Sequence, residues 1–148
     1  MASTRGVLSQ VLRSAYRKRV TAEFDYHLRD GYSAPFIQVD IKISNACNLR
    51  CKMCAQWNEV GWHKSQPISF VRDSIPLEVY TKMVDDVAKH KPWMFIYGGE
   101  PFVYPDLMPL LRYMKEKDLV VSVVTNGTML AKHSPALVEM GMDFLLVS

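Results

Sequence analysis

The chain has 148 residues, of which 49% are hydrophobic and 22% charged, with a formal net charge of +3. That suits one soluble domain with a sizeable core, and the mild charge does not by itself imply nucleic acid or a membrane surface. No apolar run nears the ~20 residues that span a bilayer.

Positive charge is concentrated at the start. Arg5, Arg13, Arg17, Lys18 and Arg19 all precede the first acid, Glu23. Val7, Leu8, Val11, Leu12, Ala15 and Tyr16 recur at helical spacing, which predicts a basic amphipathic helix over Met1–Ala22 with one face packed on the domain. A turn-rich lead-in from His27 to Pro35 follows, broken by Asp30-Gly31 and Pro35. Residues 1–35 thus precede the main domain, 36–148.

Phe36 to Ile43 alternates: Ile37, Val39, Ile41 and Ile43 are apolar, while Gln38, Asp40 and Lys42 are polar, as in a strand with two unlike faces. The polar face fits either the inside of an open, curved sheet or the solvated side of an edge strand. Immediately after it come Cys47, Cys51 and Cys54, the only cysteines in the chain. Three thiols within eight residues are not a disulfide framework, and they point to a reducing, cytoplasmic setting.

Ala55–Asp73 has no period and reads as a long loop. Ile75–Lys89 is helical, with Pro76 in its first turn and Leu77, Tyr80, Met83, Val84 and Val87 in one stripe. Trp93–Tyr97 is a short apolar strand entering Gly98-Gly99-Glu100-Pro101. Leu107, Leu110, Leu111 and Met114 mark the next helix, and Leu119–Val124 a third strand running into Thr125-Asn126-Gly127. A last helix is expected around Pro135–Met140, then a fourth strand, Phe144–Val147, before Ser148. Strands alternating with helices give a parallel sheet, and ligands collect at the carboxyl ends of such strands. The cysteines, Gly98–Pro101, Thr125-Asn126 and Ser148 all fall at those ends.

Spacing C-x3-C-x2-C offers three thiolates and stops. Structural zinc takes four ligands, so a zinc-binding interaction module needs a fourth, and His63 is the candidate in that alternative. An iron–sulfur electron carrier would need a fourth cysteine. Three thiolates on one short loop suit a cubane that leaves one iron open.

Cys47-x3-Cys51-x2-Cys54 and Gly98-Gly99-Glu100-Pro101 together resemble the signatures of the radical S-adenosylmethionine enzymes, over about Phe36–Ser148. Within that family the pattern is similar to the branch of the molybdenum-cofactor cyclase and the SPASM-type maturation enzymes. The resemblance implies an α/β fold, a (βα) partial barrel with parallel strands that is incomplete here, ending after the fourth of about six strands. It implies two cofactors, a [4Fe–4S] cluster on the three cysteines and S-adenosylmethionine. Reductive cleavage of the latter gives a 5′-deoxyadenosyl radical that takes hydrogen from a small-molecule or peptide substrate. An electron donor such as flavodoxin or ferredoxin is implied as partner. Carried over residue by residue, Gly98, Gly99, Glu100 and Pro101 would receive the methionyl ammonium, with Glu100 as a nearby anion. Thr125, Asn126 and Ser148 would meet the methionyl carboxylate. Met53 stands where the family often has an aromatic, and would cover the adenine. The missing strands lead us to expect a fragment of a larger enzyme, inactive alone.

Overall fold

The computed structural model describes residues 4–28, 31 and 35–148. Helix α1 spans Thr4–Leu28, followed by β1 (Gln38–Ser44), α2 (Ile68–Arg72) and α3 (Leu77–Ala88). Then come β2 (Trp93–Gly98), a 3-10 turn at Pro101–Val103, α4 (Leu107–Glu116), β3 (Val120–Thr125), α5 (Leu130–Glu139) and β4 (Phe144–Val147). The four strands form one sheet in the order β1-β2-β3-β4, and every pairing is parallel.

Period-two alternation sorts the side chains of this sheet. Ile41 and Ile43 of β1, Met94 and Ile96 of β2, and Val121 and Val123 of β3 share one face and are buried. Onto them pack Tyr80 and Val84 of α3, Leu107, Leu110, Leu111 and Met114 of α4, and Leu137 of α5. All three long crossover helices therefore cover the same side, which is how a barrel rather than a doubly wound sheet begins. The opposite face carries Asp40, Lys42, Phe95, Tyr97, Ser122 and Val124 in register, and Asp40, Lys42 and Tyr97 are exposed. Both readings of the polar face of β1 thus hold together: β1 is an edge strand, and its polar side chains stand on the open face.

Prolines explain where helices begin. Pro76 caps α3 without joining it, and Pro109 lies in the first turn of α4, where backbone N–H groups have no intrahelical partner. In α5, Pro135 sits inside the helix, which starts five residues before the expected Pro135–Met140 segment. The helix tolerates it because the bond lost is to the carbonyl of Ala131, an exposed residue whose oxygen water can satisfy.

Two other expectations need correction. The predicted loop Ala55–Asp73 contains α2, a helix too short to leave a periodic signal, with Val71 as its buried anchor. The N-terminal helix forms, but Leu8, Leu12 and Tyr16 of its apolar stripe are exposed rather than packed on the domain. Residues three or four positions apart share a helix face, but that face is buried only where a partner covers it. Met1–Ser3, Arg29–Asp30 and Tyr32–Ala34 of the predicted helix and lead-in lie outside the described residues, as do the side chains of Val7 and Val11. No described helix is long and apolar enough to cross a membrane.

Candidate functional site

The strand ends converge through backbone bonds. Beyond the β1–β2 ladder, Gly99 N–H donates to the Ser44 carbonyl at 2.8 Å and Glu100 N–H to the Ala46 carbonyl at 2.8 Å. The cysteine loop therefore leaves β1 pressed against the end of β2. Side chains would forbid this approach. A Cβ on Gly98, whose φ is +155°, would lie 2.5 Å from the Ser44 oxygen, and one on Gly99 would lie 2.1 Å from the Ala46 oxygen. What the two glycines approach within the chain is the backbone that carries Cys47.

Glu100 is fully buried, at 0% exposure. One carboxylate oxygen, Oε1, accepts the Thr125 hydroxyl at 2.8 Å and the Phe102 N–H at 3.1 Å; Oε2 accepts the Asn126 N–H at 2.8 Å. A buried carboxylate is costly unless hydrogen-bonded, and here three donors compensate it. The side chain pins the end of β3 to the end of β2. Pro101, buried, opens the 3-10 turn that Glu100 caps. Ser148 is exposed, and its N–H donates to the Thr125 carbonyl at 3.0 Å.

Cys47, Cys51 and Cys54 are free thiols, the first and third half-buried and Cys51 exposed. Cys54 N–H closes a turn on the Cys51 carbonyl at 3.0 Å. Arg50 Nη1 donates to the carbonyls of Cys47 and Leu49, each at 2.8 Å, and its guanidinium lies 4.0 Å over the Trp57 ring. Trp57 in turn donates Nε1–H to the Asn45 carbonyl at 3.2 Å. Arg50 and Trp57 together brace the loop from outside. Met53 points away from the fold and is 92% exposed.

Two residues of this site gave no signal in the sequence. Asn48 Nδ2 donates to Thr128 Oγ1 at 2.8 Å, and Asn126 Nδ2 donates to Asn48 Oδ1 at 2.8 Å. The same Asn126 nitrogen is 4.0 Å from Cys47 Sγ. Asn48 and Thr128 are 80 residues apart in the chain.

His63 does not complete a four-ligand metal site. It is 3% exposed and lies between the rings of Trp57, Trp62 and Phe70, with centroids at 5.3, 6.1 and 5.6 Å. Both ring nitrogens are buried without a partner, and burial, helped by the Lys42 charge, pulls its pKa below the usual histidine value. It is a neutral ring packed among aromatics, and the zinc reading loses its fourth ligand.

The donor set does fit a cluster. Among the described residues, no group of three or more His, Cys, Asp or Glu side chains is placed to hold a metal ion. The three free thiols of this one loop, Cys51 exposed and Cys47 and Cys54 half-buried, are the number of donors that leaves one iron of a cubane open.

A family model described as the Radical SAM superfamily matches residues 41–148. The chain belongs to this family. Membership implies an enzyme whose cofactors are a [4Fe–4S] cluster and S-adenosylmethionine. Over 112 residues the chain is 30% identical to the tungsten-containing aldehyde ferredoxin oxidoreductase cofactor-modifying protein of Pyrococcus furiosus, covering 73% of this chain and 29% of that protein. Over 123 residues it is 34% identical to the GTP 3′,8-cyclase of Limosilactobacillus fermentum, covering 82% of this chain and 36% of the cyclase. It thus spans about a third of the length of these curated relatives. In fold it is similar to Streptococcus suis SuiB bound to S-adenosylmethionine, with a TM-score of 0.59 at 19% identity over 88% of this chain and 28% of SuiB. BtrN in an open conformation matches with a TM-score of 0.58 over 78% of this chain and 51% of BtrN.

Proposed function

We propose that this chain is the cluster-bearing part of a radical S-adenosylmethionine enzyme, in which Cys47, Cys51 and Cys54 hold a [4Fe–4S] cluster. The observation that carries the reading is the loop itself: three free thiols at the carboxyl end of β1, clasped to the ends of β2 and β3.

When bound, the cluster and S-adenosylmethionine supply reductive cleavage of a carbon–sulfur bond and a 5′-deoxyadenosyl radical. The chain supplies placement. Cys47, Cys51 and Cys54 would hold the cluster through three thiolates and would leave one iron without a protein ligand, where the methionyl group would bind. Backbone at Gly98 and Gly99 would receive the ammonium and Ser148 would face the carboxylate, while Thr125, whose hydroxyl proton goes to Glu100, and Asn126, whose amide bonds Asn48, would support that strand end from behind. Glu100 acts from beneath, since its carboxylate is occupied in fixing Thr125 and Asn126. Met53, exposed beside Cys54, would cover the adenine.

The substrate would approach over the open sheet face, where Asp40, Lys42 and Tyr97 offer both charges and a hydroxyl. SuiB has been solved bound to its precursor peptide SuiA, and relatives are named for work on GTP or on a cofactor. A small molecule or a peptide is the proposed substrate class. The electron would come from a one-electron carrier such as flavodoxin or ferredoxin, in the cytoplasm, where the thiols stay reduced.

Anaerobic reconstitution with iron and sulfide tests this. About four irons per chain are expected, and far fewer in Cys51→Ala. One tightly bound zinc per chain in place of iron would contradict it.

A further inference from the structure

Asn48, Asn126 and Thr128 form a closed ring of side-chain hydrogen bonds. Asn48 Nδ2 donates to Thr128 Oγ1 at 2.8 Å, Thr128 Oγ1 donates to Asn126 Oδ1 at 2.6 Å, and Asn126 Nδ2 donates to Asn48 Oδ1 at 2.8 Å. Each side chain gives one proton and accepts one, so the three bonds run in a single sense and polarise one another. The Thr128 backbone N–H also donates to Asn126 Oδ1, at 3.0 Å, which fixes which end of that amide is oxygen. Asn126 is anchored below by its own N–H on Glu100.

Consequently the second proton of Asn126 Nδ2 is left on the side of Cys47, whose Sγ lies 4.0 Å away. The Leu49 N–H reaches the same sulfur at 3.4 Å. Donors aimed at a ligand sulfur withdraw electron density and stabilise the reduced form of a cluster, and residues that orient such donors tune the metal from one layer out.

We propose that this ring is a positioning clamp: Asn48 and Thr128 hold the Asn126 amide toward Cys47, fixing the cysteine loop on the β3–α5 loop and raising the reduction potential of the cluster. The idea rests on the function proposed above, but it has a readout that needs no cluster. In the metal-free chain, backbone hydrogen exchange of the 47–54 segment reports how firmly the loop is held. Thr128→Val keeps the shape and removes the hydroxyl, so exchange there should quicken several-fold; Thr128→Ser keeps the hydroxyl and should leave it near wild type. Equal exchange in wild type and Thr128→Val would overturn the clamp, even if the chain never takes up iron.

In the reconstituted protein, Asn126→Ala and Thr128→Val should both shift the midpoint potential to more negative values, with Thr128→Ser restoring it. A purely structural role would lower cluster content and leave the potential of the loaded fraction unmoved. That result would overturn the electronic part of the proposal. Failure of the wild-type chain to load a cluster would instead count against the parent function, with the exchange measurement still deciding the clamp.

Discussion

At the site, single atoms decide what the motif residues do. Gly99 is needed because a methyl group there would sit 2.1 Å from the Ala46 oxygen, with backbone rather than a yielding side chain in the way. Gly99→Ala should therefore displace the cysteine loop, and reconstitution should yield less iron than wild type while far-ultraviolet circular dichroism stays near native. Glu100→Gln replaces one acceptor oxygen by an amide nitrogen against the donors from Phe102, Thr125 and Asn126. Leaving a buried donor without a partner costs roughly 1–3 kcal/mol, which denaturant unfolding would register. The cysteines, the glycine pair and the glutamate were all legible in the sequence. Their division of labour was not: Glu100 reads as an anion waiting for a ligand, and the fold turns it inward to bind its own backbone. Asn48 and Thr128 were invisible because their meaning lies in a contact between positions far apart along the chain, which no local pattern carries.

Among the elements, the strands followed the sequence closely because alternation and apolar runs are local properties. Trp93–Tyr97 and Phe144–Val147 appear within a residue of their expected ends. Misplaced punctuation accounts for α5, where Pro135 looked like a beginning and is an interior residue. The stripe of α1 shows the limit of periodicity, since spacing says which residues share a face and not what covers it. Packing of α4 on the sheet backs the strands whose ends carry the site. Leu110 is 0% exposed in the middle of that core, and Leu110→Ala should cost about 2–5 kcal/mol in an unfolding titration.

The contact of α3 with the segment before α4 also carries a pH signature. Tyr104 donates its hydroxyl to the Ile75 carbonyl at 2.9 Å and meets the Tyr80 ring edge-on at 5.9 Å. Burial, then the charge of Asp106, followed by Tyr80 and Glu78, pushes its pKa from 10.0 up to about 12. A pKa raised by folding means that the unfolded chain releases the proton first. The contribution is whole below about pH 10 and drains away as pH rises toward 12. Tyr104→Phe should flatten that alkaline loss of stability in a pH series of thermal unfolding.

Taken whole, the molecule is a four-stranded parallel sheet with its core-forming helices on one side and its other face open, with the cysteine loop at one rim. Such a sheet was legible from the order of strands and helices alone. That the helices share one side was not, because it depends on how each crossover turns back. The chain covers about a third of the length of these curated relatives. On the function proposed above, three thiolates would bind a cluster that keeps one iron for S-adenosylmethionine. Electron paramagnetic resonance of the reduced, reconstituted chain tests it most directly. Adding S-adenosylmethionine should change the cluster signal, and Cys51→Ala should have no [4Fe–4S] signal to change. A spectrum identical with and without S-adenosylmethionine, or a full cluster in Cys51→Ala, would contradict it.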